Sequence, residues 1–395
     1  MFLLIVCLLI LFYLFKLNKT VLGGYHVTLN PISVITLLWM IVLVSHYINF
    51  DYKDTTWKVY LTIIAGLVFL AIGFWISFIN KGSNRKNSKK IYNLPYLNKL
   101  LNYLIIIELI RLAYYSYIVV YAIGGGSWIM LLYEGTALRG QYLNYDESLN
   151  EKLLLFSTNV LAYVGYVILG IYLGYKGRNS KIKFAFIFIV ELLIAVVSMS
   201  KLSFAVFLII ISVAFVNSIK DISEQKKTLK KLLPVSAIVI FAFFMFIGFQ
   251  RNYMETRDSL SIGVLDGIVD YFAGPTEAFR ICIEKGVGII ARADHGMIDI
   301  GTTETNVYTW FYPFYSTLSY FGILFFSFIF GALSGFLYKP LKHDLFNDVA
   351  SVWICGFFAF SFFDFLPKFT AYQFIFVVAF FLSHFNQKLY IREKC

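Results

Sequence analysis

The chain has 395 residues, of which 59% are hydrophobic, 19% aromatic and only 14% charged, with a mean hydropathy of +0.73. A soluble domain is nearer about 45–50% apolar and about 25% charged, so this composition excludes an ordinary soluble fold and points to a polytopic membrane protein. The net charge of +11 is spread over short segments between apolar runs. No basic face is long enough to track phosphates, which argues against nucleic acid as a partner.

Eleven spans are expected in chain order: Phe2–Phe15, Pro31–Ile48, Val59–Ile79, Leu101–Ile123, Leu153–Gly174, Ile182–Ser198, Leu202–Asn217, Leu232–Phe249, Leu318–Tyr338, Val349–Phe363 and Phe369–Phe385. Met1 has no basic residue before the first apolar run, so that run reads as a retained span and not a cleavable signal. The segment 80–99 carries Lys81, Arg85, Lys86, Lys89, Lys90 and Lys99 and is expected in the cytoplasm. Alternating from there, cytoplasmic segments collect 22 of the 34 Lys and Arg, external segments 11, and Arg111 is left inside a span. The N-terminus then lies outside, the C-terminus inside, and residues 250–317 outside the cytoplasm. The fold class expected is all-α and polytopic, with membrane portions 1–249 and 318–395 flanking one large external loop that contains short amphipathic helices.

Three features stand out before that loop. Ser198-Met199-Ser200-Lys201 divides 182–217 into two helices of about 16–17 residues, each roughly 24–25 Å long at 1.5 Å per residue. A bilayer core is about 30 Å thick. Lys201 therefore sits either at a turn sunk below the external surface or in a plain hairpin, snorkelling to the headgroups. Glu108 and Arg111, three residues apart in the fourth span, share a helix face and read as a pair facing the bundle interior, while Glu191 has no evident local partner. Arg139 follows a Gly-Gly-Gly-Ser turn, as a surface charge or an anion clamp. The four cysteines show no CxxC spacing or framework, so neither a disulfide nor a zinc site is expected.

The stretch 250–317 is the only long polar interruption, and it is too aromatic to read as disordered. Leu260, Val264, Leu265, Ile268, Val269 and Phe272 recur at helical spacing. Gly274-Pro275 is expected to end that helix, and a second is expected from Pro275 to a cap at Gly286, with Glu277 in its first turn and Arg280 on the same face. Both helices are expected to lie against the membrane surface. Arginines offer a planar, permanently charged fork suited to phosphate, and aromatic rings offer platforms for sugars. A carboxylate or histidine can act as base toward a hydroxyl. Nucleotide loops (GxxxxGK[ST], GxGxxG) and metal motifs (Asp-x-Asp, HExxH) are missing, so neither a nucleotide cofactor nor a metal is expected. The sum favours an energised substrate arriving through the membrane, such as a lipid-linked pyrophosphate sugar.

Tyr271-Phe-Ala-Gly-Pro275 with Ala278-Phe279, then Thr305-Asn306-Val-Tyr308-Thr309, Pro313-Phe-Tyr315 and Phe321-Gly322 before a span, resembles the Wzy-type oligosaccharide repeat-unit polymerases of O-antigen and capsule synthesis. Chain size, span number and the single large external loop are similar over nearly the whole length, and the Ser198–Phe204 turn is similar to the family's small-residue-plus-basic turn. An acid commonly precedes the family's Phe-Gly; here the residue is Tyr320. The resemblance implies a glycosyltransferase in a bacterial cytoplasmic (inner) membrane, with its active site facing outside and no cofactor. It would transfer the growing chain from undecaprenyl pyrophosphate to a hydroxyl of the incoming lipid-linked repeat unit. A chain-length regulator and a flippase would be its partners. Arg139, Lys201, Arg251, Arg257 and Arg280 would neutralise pyrophosphate, and Asp270, Glu277 or His295 would orient or deprotonate the acceptor. Tyr271, Asn306, Tyr308 and Trp310 would hold sugars. The competing expectations are a ligase that moves finished glycan and a lipid-linked oligosaccharide flippase; the latter should show internal repeats and paired broken helices.

Overall fold

The computed structural model describes residues 2–22, 29–50, 56–79, 90–128, 130–133, 135–219, 221–252, 262–286, 298–299, 304–305, 309–338, 344–363 and 366–392. Regular structure among them is almost wholly helical. The first half of the chain holds α1 (Phe2–Val21), α2 (Pro31–Asn49), α3 (Thr56–Ile79), α4 (Leu94–Ser116), the short α5 (Met130–Tyr133) and α6 (Gly135–Leu143), α7 (Leu149–Gly174) and α8 (Ser180–Ser198). The second half holds α9 (Lys201–Ser218), α10 (Ile222–Asn252), α11 (Ile262–Lys285), α12 (Phe311–Leu337), α13 (Leu345–Ala359) and α14 (Thr370–Phe385). Strands β1 (Lys90–Tyr92) and β4 (Tyr390–Arg392) form one antiparallel ladder, and β2 (Ile298–Asp299) and β3 (Glu304–Thr305) another.

The apolar runs fall on helices, with Val349–Phe363 overrunning the end of α13, and among the described residues six helices are long and apolar enough to cross a membrane: α1, α2, α3, α4 with the π-helical turn Tyr117–Ile123 that extends it, α7 and α12. Helix ends are set by local chemistry. Asn30 accepts a hydrogen bond from Ser33 N at 2.9 Å ahead of Pro31, and Ser148 with Glu151 forms a reciprocal capping box on α7. The expected break near Ser198 is a left-handed turn at Met199 (φ 49°), after which Ser200 caps α9.

Two expectations fail at α11. Gly274-Pro275 does not divide it: one helix runs from Ile262 to Lys285 with Pro275 inside, and stops at Gly286 with φ 82°. A proline removes one backbone hydrogen bond and commonly kinks or ends a helix. Here residues 273–280 are all buried, and packing on every side holds the helix through the missing bond. For the same reason this stretch is not an amphipathic surface helix, since Glu277 and Arg280 lie in the interior.

The chain divides into two compact units. Unit 1 comprises Met1–Ser88, Ile268–Lys342 and Trp353–Lys368. Its main seam is α3 against α12, where backbones come close enough that a Cβ on Gly73 would meet the Phe328 carbonyl oxygen at 2.2 Å, and one on Gly331 the Leu70 carbonyl oxygen at 2.1 Å. Small residues at helix crossings are how apolar helices gain contact when lipid competes for their side chains. At one end of α1–α3, Asn18 donates to Asn30 and to Ser33 Oγ (3.1 Å) and accepts from Trp75 Nε1 (3.0 Å), a buried polar clasp. α12 is kinked at Leu318-Ser319, where Ser319 takes φ 55°, ψ −145°. Gly322 lets the Phe314 carbonyl close over the bend, since a Cβ there would stand 2.2 Å from that oxygen.

Unit 2 comprises Lys89–Gly267, His343–Val352 and Phe369–Cys395. α7 is its central helix, packed on α4, α8, α9 and α14. Gly170 lies against Ile211 and Ala214 of α9, and Gly165 against Leu104 of α4. Beside the ladder of β1 and β4 lies a half-buried acid pair, where Asp348 Oδ2 accepts from Tyr92 Oη at 2.5 Å and Asp344 accepts from Ser383 and Tyr390.

Candidate functional site

In unit 1, α11 is fixed by a buried polar chain. Glu277 Oε2 is 3.0 Å from His46 Nε2 in the last turns of α2, and His46 Nδ1 is 2.9 Å from Tyr60 Oη on α3. An imidazole that donates from Nε2 to the carboxylate accepts at Nδ1 from the Tyr60 hydroxyl. Arg280 Nε donates to Glu277 Oε2 at 2.8 Å and Nη2 to Oε1 at 2.7 Å, a bidentate fork, and Nη1 is 2.5 Å from Glu284 Oε1. Tyr60, His46, Glu277 and Arg280 are exposed by 2% or less. Burial pushes the Glu277 carboxyl up, but the His46 hydrogen bond and the Arg280 guanidinium outweigh it and hold the group down at about 2. Helical spacing alone pairs Glu277 with Arg280. His46 and Tyr60 were missed, and the available signal was a titratable group in an otherwise apolar run.

This geometry engages the Arg280 guanidinium with carboxylates on both sides, as a clamp within the protein. Asp270 and Tyr271 stand on the same helix, about two turns before Glu277. Trp310 is wholly buried, with its ring edge-on to Phe330 at 4.7 Å and Phe358 at 5.5 Å, and its N–H of the backbone donates to the Ser361 carbonyl. It closes the start of α12 onto the core. Arg257, His295, Asn306 and Tyr308 lie outside the described residues.

Unit 2 gathers the other basic positions. Arg139 is on α6, Lys201 opens α9, and Arg251 lies in the last turn of α10. Leu138, beside Arg139, shares one apolar cluster with Met199, two residues before Lys201, and with Val119, Val120 and Val197. α10 packs on α5, α6 and α9, and the rings of Phe243 and Phe204 meet at 4.5 Å. Lys201 lies three residues before Phe204 and Arg251 eight after Phe243 on an antiparallel neighbour, so Arg251 stands roughly 7–8 Å further along the axis, at 1.5 Å per residue. The start of α9 also presents the positive end of its helix dipole at this level. The elements that carry Arg139, Lys201 and Arg251 thus converge, an arrangement whose chemistry suits a polyanion.

Among the described residues, no three His, Cys, Asp or Glu side chains converge as a metal centre would require. Comparison of the chain with protein-family models, curated proteins and solved structures finds no match.

Proposed function

We propose that the protein is a membrane glycosyltransferase that joins undecaprenyl-pyrophosphate-linked oligosaccharide repeat units into O-antigen or capsular polysaccharide on the external face of a bacterial cytoplasmic membrane. The observation that carries this reading is the packing together in unit 2 of α6, α9 and α10, the elements on which Arg139, Lys201 and Arg251 lie. An acceptor hydroxyl attacks the anomeric carbon of the growing chain, the C–O bond to pyrophosphate breaks, and its electron pair leaves on the phosphate oxygen. Cations stabilise the charge that develops there. The proton goes to a carboxylate or imidazole. Glu277 is engaged by Arg280 and His46 and is assigned to holding α11; Asp270 and His295 remain as the candidate bases.

The test is a gel of surface glycan from a strain lacking the gene. A ladder that collapses to single repeat units supports a polymerase. Full-length glycan retained on the lipid carrier identifies a ligase, and unflipped single units on the cytoplasmic face identify a flippase; either overturns the proposal. In the complemented strain, Arg251→Ala is expected to abolish the ladder at unchanged protein abundance, and a normal ladder removes Arg251 from the site.

A further inference from the structure

A second buried charge cluster lies inside unit 2, apart from the basic positions above. Glu108 and Arg111 of α4 meet Glu191 of α8 and Tyr166 of α7, with both glutamates at 0% exposure and Arg111 at 2%. Arg111 Nη1 donates to Glu108 Oε2 at 2.5 Å, to Tyr166 Oη at 2.7 Å and to Glu191 Oε1, and its Nε donates to Asn159 Oδ1 at 2.9 Å. Tyr166 Oη also donates to Glu191 Oε1. One oxygen of each carboxyl is therefore satisfied. The remaining oxygens, Glu108 Oε1 and Glu191 Oε2, are buried and receive no hydrogen bond from the described residues. Both carboxyl groups accept from the same nitrogen, Arg111 Nη1, so the two acids converge on one point in the bundle.

Charge counting then decides the state. Among the described residues, two carboxylates against one guanidinium leave a full negative charge in an apolar helix bundle, where an uncompensated ion is among the costliest things a protein can bury. The elements packed around the pair bring Tyr115 from α4, Tyr163 and Tyr166 from α7 and Tyr372 from α14, none of them a cation. Lys183 on α8 is about 12 Å along the helix from Glu191 and donates to Asn98 O and Asn102 Oδ1. Lys201 opens α9 beyond the end of α8, with its side chain outside the described residues. Two buried carboxyl groups gathered on one guanidinium nitrogen, each with an orphaned oxygen, repel unless the pair holds a proton.

We propose that Glu108 and Glu191 form a proton-binding site within the membrane bundle, holding one proton between their free oxygens while Arg111 balances the single remaining charge. The protonated carboxyl donates to the other carboxylate, so both orphaned oxygens gain a partner and the cluster becomes neutral. Removing either glutamate leaves one carboxylate opposite one guanidinium, a pair that needs no proton.

Infrared spectroscopy of the purified full chain in nanodiscs at neutral pH tests this. The parent protein is expected to show a protonated-carboxyl C=O band that moves down in D2O and moves again when glutamate carries heavy carbon in its side-chain carboxyl. Glutamate labelling distinguishes it, without any substitution, from a protonated aspartate such as Asp348. The band is expected to be lost in Glu108→Gln and equally in Glu191→Gln. No glutamate-derived band in the parent overturns the proposal, as does a band that survives in either variant.

Discussion

Replacing Glu277 by glutamine tests whether the buried chain of Tyr60, His46, Glu277 and Arg280 holds α11 electrostatically or only by shape. The carboxyl is held down from 4.5 to about 2 in the folded protein. At about 1.36 kcal/mol per unit, that difference corresponds to roughly 3 kcal/mol of stability, in the range of about 3–5 kcal/mol found when one partner of a buried ion pair is removed. A depressed carboxylate contributes stability that is present above its ordinary value and is lost as pH falls through the folded one. The parent should therefore lose about 3 kcal/mol between about pH 4.5 and pH 2. Glu277→Gln, neutral at every pH, should be less stable than the parent by that amount at pH 7 and should match it near pH 2. The assay is chemical unfolding in detergent micelles across that pH range. A variant as stable as the parent at pH 7, or one destabilised equally at pH 7 and pH 2, would refute an electrostatic clamp.

Three other perturbations have a defined sign. Burial raises the Asp348 carboxyl from 3.8 to about 8, so its contribution is fully present below 3.8 and is lost as pH rises through about 8. Protection factors at β1 and β4, which correct hydrogen exchange for its base-catalysed intrinsic rate, are expected to fall over that window in the parent and to stay nearly flat in Asp348→Asn. Ser319→Gly should stabilise the protein by about 1–3 kcal/mol in thermal unfolding, because only glycine adopts φ 55°, ψ −145° without strain; a loss would mean that the serine side chain holds the kink. Gly331→Val should destabilise by about 3 kcal/mol or more, because its Cβ would stand 2.1 Å from a carbonyl on the facing helix. Gly140→Ala, with nothing within 4 Å, is the control and should gain up to about 1 kcal/mol.

Helical elements were legible because apolar runs of this length have few other structures open to them in a bilayer. The turn at Met199 was legible too, since small polar residues interrupt an apolar run that is too long for one span. The continuity of α11 through Pro275 was not, because proline chemistry is local, whereas the burial of residues 273–280 comes from residues far along the chain. The same limit applies to the charged clusters. Spacing pairs Glu277 with Arg280 and Glu108 with Arg111, but His46 is 231 positions from Glu277 and Glu191 is 80 from Arg111. A polar residue in an apolar run signals that a partner is needed, and only the fold says which.

What the buried chain in unit 1 does for function follows from where it sits. The segment between Gly286 and Thr309 carries His295, Asn306 and Tyr308, and both of its flanks are tied into the same unit. On one side Glu277 and Arg280 lock α11 to α2; on the other, Trp310 packs under Phe330 and Phe358, and Phe311 lies 5.7 Å from Trp39. A loop that carries chemistry needs a rigid frame more than it needs charge in that frame. Arg280 on this reading is not a phosphate ligand. Its guanidinium is engaged by two carboxylates, Glu277 and Glu284, at the end of α11 where the segment begins.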